Sequence, residues 1–200
     1  DFESIFGEMF GQQQSGRRAR RSGPRAGGDL VATMQINLED AVLGATRTLN
    51  VNGTQAMPVS FAAQSGAGAN IWYGIEADAA ATAVNLTYAT IQSASYGVTS
   101  AAPGNVLAAT NVTVTSTSYG FTINAGTPTL TSVSVTGGQT AVTVNGSAAP
   151  TLASSTILNT LSGGINYYTN GAALTSNITN TVVSGCGSYG VLAQATSSSL

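Results

Sequence analysis

Val112-Thr-Val-Thr-Ser-Thr-Ser-Tyr-Gly-Phe-Thr-Ile123 is followed by Val133-Ser-Val-Thr-Gly-Gly-Gln-Thr-Ala-Val-Thr-Val144. Each stretch holds a short alternating β segment, a turn and a second β segment. Aligning them sets Gly120-Phe121 over Ala141-Val142. The same pairing of a small residue with a branched or aromatic one recurs at Gly74-Ile75, Gly97-Val98, Gly164-Ile165 and Gly190-Val191, and the spacings in chain order are 23, 23, 21, 23 and 26. Tyr73, Tyr96, Tyr119 and Tyr189 precede the small residue, while Thr140 and Gly163 hold that place in the other two copies. An aliphatic residue lies six positions upstream as Ile91, Val114, Val135 and Leu158, and shifts to Val182 or Val183 in the last copy. Turn formers separate the copies: Pro103-Gly104, Gly126, Asn145-Gly146 and Asn170-Gly171.

A unit this short cannot bury its own apolar face, so it must stack on neighbours of the same kind, at about 4.8 Å per rung. The expected fold is mainly β. It is a parallel β-solenoid of the right-handed β-helix type, with about five to six coils, aliphatic residues inside and Ser, Thr and Asn outside. The near-constant period favours this over a sandwich of Thr-rich strands, and the regular aliphatic content argues against a low-complexity tract. Stacking in register predicts a structural ladder of Tyr73, Tyr96 and Tyr119, broken at Thr140 and Gly163 and resumed at Tyr189. It also predicts a short amide ladder of Asn124 and Asn145.

Charge fits the same picture. Charged residues make up 7% of the chain, against about 25% in ordinary domains. The six Arg and eight Asp or Glu all lie between Asp1 and Asp78, and there is no Lys and no His. A charge at a repeated position would face a like charge on every rung.

The composition also excludes most chemistry. Without His, the commonest general base and metal ligand is missing. Cys186 has no imidazole to activate it. Glu76 and Asp78, two residues apart, have no partner base. The expectation is therefore no enzyme, no catalytic or metal site and no cofactor. No apolar run approaches the roughly 18–20 residues of a membrane span, which argues against membrane insertion. Thr113/Thr115 and Ser134/Thr136 align as a water-ordering array. The equivalent positions read as Thr90/Gln92 before and Ile157/Asn159 after, which limits it to two rungs.

Upstream of the repeats the chain changes character. Phe2, Ile5, Phe6, Met9 and Phe10 fall at helical spacing. Residues 12–28 carry Arg17, Arg18, Arg20, Arg21 and Arg25 among Gly, Ser and Pro, and read as a flexible arm. No aromatic residue interleaves with these arginines to stack bases, so nucleic acid is not an expected partner. Leu30, Ala32, Met34, Ile36 and Leu38 then alternate as a strand, and Leu49 and Val51 mark a second in a hairpin-like segment. Three parts result: residues 1–28, 29–70 and the solenoid over 71–200.

Asp1-Phe-Glu-Ser-Ile-Phe-Gly-Glu-Met-Phe-Gly11, the Arg/Gly arm and Gly28-Asp-Leu-Val-Ala-Thr-Met-Gln-Ile-Asn-Leu-Glu-Asp-Ala-Val-Leu-Gly-Ala-Thr-Arg-Thr-Leu49 together resemble DnaJ-type co-chaperones. The likeness is to the end of the Gly/Phe-rich region and the first strands of the C-terminal client-binding domain. It implies binding of exposed apolar segments of unfolded polypeptide by Phe2, Ile5, Phe6, Met9, Phe10, Leu30, Met34 and Ile36. The His-Pro-Asp tripeptide and the zinc-binding cysteine repeats of that family are missing from this sequence. Residues 71–195 resemble the right-handed parallel β-helix superfamily of adhesin and autotransporter passengers, phage tail proteins and polysaccharide lyases. That likeness implies a structural or adhesive role with a surface or glycan partner. The compartment is extracellular if the solenoid defines function and cytoplasmic if the DnaJ-like part does. The joint between the two also fits a chimeric or artificial chain. An exposed last coil near Tyr189 to Ala195 predicts truncation or self-association.

Overall fold

The computed structural model describes residues 49–63, 72–115, 117–169 and 176–195. Phe2, Ile5, Phe6, Met9, Phe10, Leu30, Met34 and Ile36 lie outside them. The described residues fall in one compact unit. They form three parallel sheets of six strands each and no helix. Among the described residues, then, no helix is long and apolar enough to cross a membrane.

The first sheet stacks β1 (Leu49–Asn52), β4 (Val84–Thr87), β7 (Leu107–Thr110), β10 (Thr129–Thr131), β13 (Thr151–Ala153) and β16 (Asn177–Thr179). The second stacks β2 (Val59–Phe61), β5 (Ala89–Gln92), β8 (Thr113–Thr115), β11 (Ser134–Thr136), β14 (Thr156–Leu158) and β17 (Val182–Ser184). The third stacks β3 (Ile75–Ala77), β6 (Tyr96–Ser100), β9 (Tyr119–Ile123), β12 (Thr140–Asn145), β15 (Gly163–Thr169) and β18 (Tyr189–Ala195). Every third strand returns to the same sheet one rung further on. This is a parallel β-solenoid of about five turns.

Its first rung starts at Leu49, because β1 pairs in parallel with β4 and β2 with β5. The solenoid thus takes in residues that the repeat signature leaves to the preceding segment. That rung carries the small-residue pair as Gly74-Ile75 but no aliphatic residue six positions upstream, because residues 62–74 stand between its second and third strands where later rungs have three or four residues.

Alternation along each short strand sends one set of side chains inward. Leu86, Ala109, Leu130 and Leu152 line the first sheet, and Ile91, Val114, Val135 and Ile157 the second. Val98, Phe121, Val142 and Ile165 line the third. Ile157, and not Leu158, is the inward residue of rung five. The turn after β14 is one residue longer than its predecessors, which displaces the upstream count by one. The outward pair on that rung is accordingly Thr156 and Leu158, not Ile157 and Asn159. Ser60, Thr90, Thr113, Ser134 and Thr156 form a hydroxyl column five rungs long.

The corner between the first two sheets is one or two residues long and turns on one residue with positive φ: Tyr88 (48°), Asn111 (54°), Ser132 (52°), Ser154 (51°) and Asn180 (48°). Its backbone N–H still donates to the next rung, as in Ser132 N to Ala153 O at 2.9 Å and Asn111 N to Thr131 O at 3.0 Å. The left-handed twist turns the chain without breaking the ladder. It costs about 1 kcal/mol for a residue with a Cβ and less for Asn or Gly. Ser132→Gly is therefore expected to leave the far-ultraviolet dichroism unchanged and to stabilise the fold by up to about 1 kcal/mol in urea titration. A loss of stability would show that the Ser132 side chain matters more than its backbone.

The two ends differ. In rung six the inward-register residues Ile178 and Val191 are 38% and 55% exposed, whereas Val51 and Ile75 in rung one are 8% and 9% exposed.

Candidate functional site

The third sheet presents the most sculpted outer surface. In β9, Tyr119 and Thr122 point outward while Phe121 and Ile123 point inward. Two outward residues three apart require a kink between them, and it falls at the small residue. The ladder pairs Tyr96 with Tyr119 and Val98 with Phe121 but skips Gly97 and Gly120. It skips Gly120 and Ala141, and Gly164 and Gly190, in the same way. The small residues are needed because the kinked backbones approach closely. A Cβ on Gly97 would lie 2.5 Å from the Gly120 carbonyl oxygen and 2.7 Å from Val114 Cγ1.

Three outward columns result, running along the solenoid. The first is Tyr96, Tyr119, Thr140, Gly163 and Tyr189. Tyr73 stacks below it: the Tyr73 and Tyr96 ring centroids are 5.2 Å apart, and those of Tyr96 and Tyr119 are 5.1 Å apart and nearly parallel at 14°. Tyr189 stands beyond the break at Thr140 and Gly163. The middle column is Thr99, Thr122, Thr143 and Asn166. The third contains Asn124, Asn145 and Tyr168, with Asn145 Nδ2 donating to Asn124 Oδ1 at 2.8 Å. A second amide pair, Asn85 Nδ2 to Asn50 Oδ1 at 2.8 Å, lies on the first sheet.

The outer columns stand higher than the middle one and leave a groove of about 420 Å³. Tyr96, Tyr119 and Thr140 border one side and Asn145 and Tyr168 the other. Thr122, Thr143 and Asn166 form the floor, and Gln139 and Ser162 reach in from the turns. The gap in the tyrosine column opens the groove. At Gly163 the Asn166 amide occupies the space that a side chain would fill, and Asn166 Nδ2 donates to the Tyr168 hydroxyl at 3.2 Å.

The floor is unusual in its hydrogen bonding. Thr122 is 9% exposed and Asn166 3%, yet Thr122 Oγ1 and Asn166 Oδ1 have no partner, and neither has Thr99 Oγ1 one rung below. Buried polar atoms are normally paired, because leaving one unsatisfied costs about 1–3 kcal/mol.

The other candidate groups do not assemble into a site. Glu76 projects at the first rung, and Asp78 lies beyond β3 and accepts the Ala80 N–H at 3.0 Å as a turn cap. Cys186 packs half-buried against the core, with its thiol 3.9 Å from the Ser184 carbonyl oxygen. Burial pushes the Tyr167 hydroxyl above its ordinary range, but that side chain sits on the inward register of β15. Among the described residues no group of His, Cys, Asp or Glu could hold a metal.

The sequence reading misses Thr122, Asn166 and Tyr168. The first two occupy a fixed place, two residues after the small residue of the repeat, which is a positional signal but not a chemical one. Comparison with family models, curated proteins and solved structures finds no match, so the DnaJ-like and adhesin-like resemblances rest on their quoted residues and the solenoid on its strand pairing.

Proposed function

We propose that this chain is a non-enzymatic β-solenoid of the structural and adhesive, surface type, which holds a partner in the groove of its third sheet. The observation that carries this reading is the lining of the groove. It offers hydroxyls, amides and phenol rings but no carboxylate, imidazole, amine or thiol. Such a set can bind, but it has no acid and base poised near neutral pH to move a proton. The test is adhesion of beads coated with the chain to cell-envelope material, with Tyr119→Ala coating as the comparison. Retention that falls with the variant, with the envelope glycans unchanged in length afterwards, supports the reading. Shortened glycans would overturn it.

Self-association through rung six belongs to the same reading. Among the described residues β16, β17 and β18 each pair on one side, and Ile178, Val182 and Val191 are exposed there. Val51 and Ile75 of rung one are buried while their counterparts in rung six are exposed, so a second copy fits by meeting rung six with its own rung six about a two-fold axis. Sedimentation velocity is expected to show a concentration-dependent dimer that Val191→Lys abolishes. A wild-type monomer at all concentrations would refute the contact.

A further inference from the structure

We infer that Tyr73 and Tyr96 form an oxidative cross-linking site. A peroxidase-type oxidant supplied with hydrogen peroxide joins their phenol rings by a carbon–carbon bond and staples rung one to rung two. The inference uses the tyrosine stack and no groove ligand, so it stands apart from the binding reading above.

Three observations single out this pair. The first is proximity. The two ring centroids are 5.2 Å apart. The backbone holds them there, because the Tyr96 N–H donates to the Tyr73 carbonyl oxygen at 2.8 Å. One residue upstream, Trp72 forms a parallel bridge with Ala94. Two reactants fixed side by side need no diffusional encounter, so coupling within the chain outruns coupling between chains.

The second is the attitude and freedom of the rings. In the coupled product the rings lie edge to edge and twisted out of a common plane. Tyr73 and Tyr96 are already tilted by 41°, whereas Tyr96 and Tyr119 lie nearly parallel at 14°. Tyr73 is 52% exposed and has one ring neighbour among the described residues, so it can meet the oxidant and swing toward Tyr96. Tyr96 is held between two rings.

The third is the absence of a nearby thiol, which would consume a phenoxyl radical before it coupled. Cys186 is the one cysteine of the chain, and it lies between β17 and β18 in rung six.

Each phenol gives one electron and its hydroxyl proton to the oxidant. The two phenoxyl radicals then couple through ring carbons next to the oxygens, forming one C–C bond. The hydrogens on those carbons leave as protons, and the oxygens take up protons from water, which restores both phenols. The chain loses two hydrogens in all, and one hydrogen peroxide, its O–O bond broken, becomes two waters. The link ties β3 to β6 and closes a loop in the unfolded chain, which narrows the unfolded ensemble as a disulfide does.

The experiment is peroxidase treatment of the dilute full chain with hydrogen peroxide. The monomer fraction is read by intact mass, by the blue fluorescence of the biphenol and by peptide mapping after pepsin digestion. The variants are Tyr73→Phe, Tyr96→Phe and Tyr189→Phe. Tyr189 is a matched control, because it is also 52% exposed but has no ring partner among the described residues. Phenylalanine keeps each ring and removes the hydroxyl, so all three variants should give the wild-type dichroism. Wild type and Tyr189→Phe should lose two hydrogens and yield a linked peptide pair containing Tyr73 and Tyr96. The yield should fall about tenfold or more in Tyr73→Phe and in Tyr96→Phe. The coupled wild-type chain should also show a higher urea midpoint than the untreated chain. Product found only in covalent dimers, an equal yield in either stack variant, a link mapped to Tyr96 and Tyr119, or oxidation confined to Trp72 would overturn the inference.

Discussion

Phe121→Ala is expected to lower the unfolding free energy by about 3–5 kcal/mol, the range for deleting a buried phenylalanine ring. Phe121 is the largest of the fully buried side chains. It stands between Val98 and Val142 on the inward register of the third sheet. Its neighbours cannot close over the lost volume. Each is held in a hydrogen-bonded rung whose spacing to the next is set by the backbone, and the vacancy persists as a cavity. Against a whole-domain stability of about 5–15 kcal/mol the loss is large. Urea denaturation followed by dichroism measures it. Thr115→Ala, on the outside of the second sheet, should change stability by less than about 0.5 kcal/mol. A loss below about 1 kcal/mol for Phe121→Ala would mean that the interior is not packed as a continuous column.

The consequence for function is local. In a stacked array each rung contacts its two neighbours, so damage in rung three is felt first in rungs two and four. Those rungs carry Tyr96 and Thr140 of the groove. A destabilised Phe121 variant should therefore lose groove binding at urea concentrations where rung six still contributes signal.

The outside of the solenoid was harder to read from the residues than the inside. The aliphatic column and the tyrosine stack follow from a repeat of nearly constant length, since equivalent residues must then lie over one another. Two kinds of feature did not follow. Tyr88, Ser132 and Ser154 hold the corner between sheets with positive φ, although Tyr and Ser are weak turn signals. The position is selected by a backbone bond to the next rung, which tolerates several side chains. The groove was hidden for a different reason. It is made by side chains that are missing, Thr140 and Gly163 where tyrosines would stand. The value of that gap depends on Asn166 folding over Gly163 to meet Tyr168. A break in a pattern reads as noise until the register shows which residues border it.

Gly120→Val tests the link between the repeat signature and the groove. A Cβ at residue 120 would collide with the Ala141 carbonyl oxygen and lie 2.7 Å from Val135 Cγ1. The first is backbone and cannot rotate away, and the second is held in the fully buried interior. The strand must therefore move, and overpacking of this kind costs about 1–3 kcal/mol or more. The column accepts nothing larger than the methyl of Ala141. Gly120 lies between Tyr119 on the groove wall and Phe121 in the core. Straightening the kink to make room would rotate Tyr119 against Thr122 and close the groove on that side. Gly120→Val is thus expected to lower the urea midpoint and also to weaken groove binding in the fraction that remains folded. Ala141→Gly, which removes a side chain without adding a clash, should keep binding within about twofold at a cost near 1 kcal/mol. If Gly120→Val folds with wild-type stability, the small residue of the repeat is not what permits the kink, and the groove must owe its shape to the turns carrying Gln139 and Ser162.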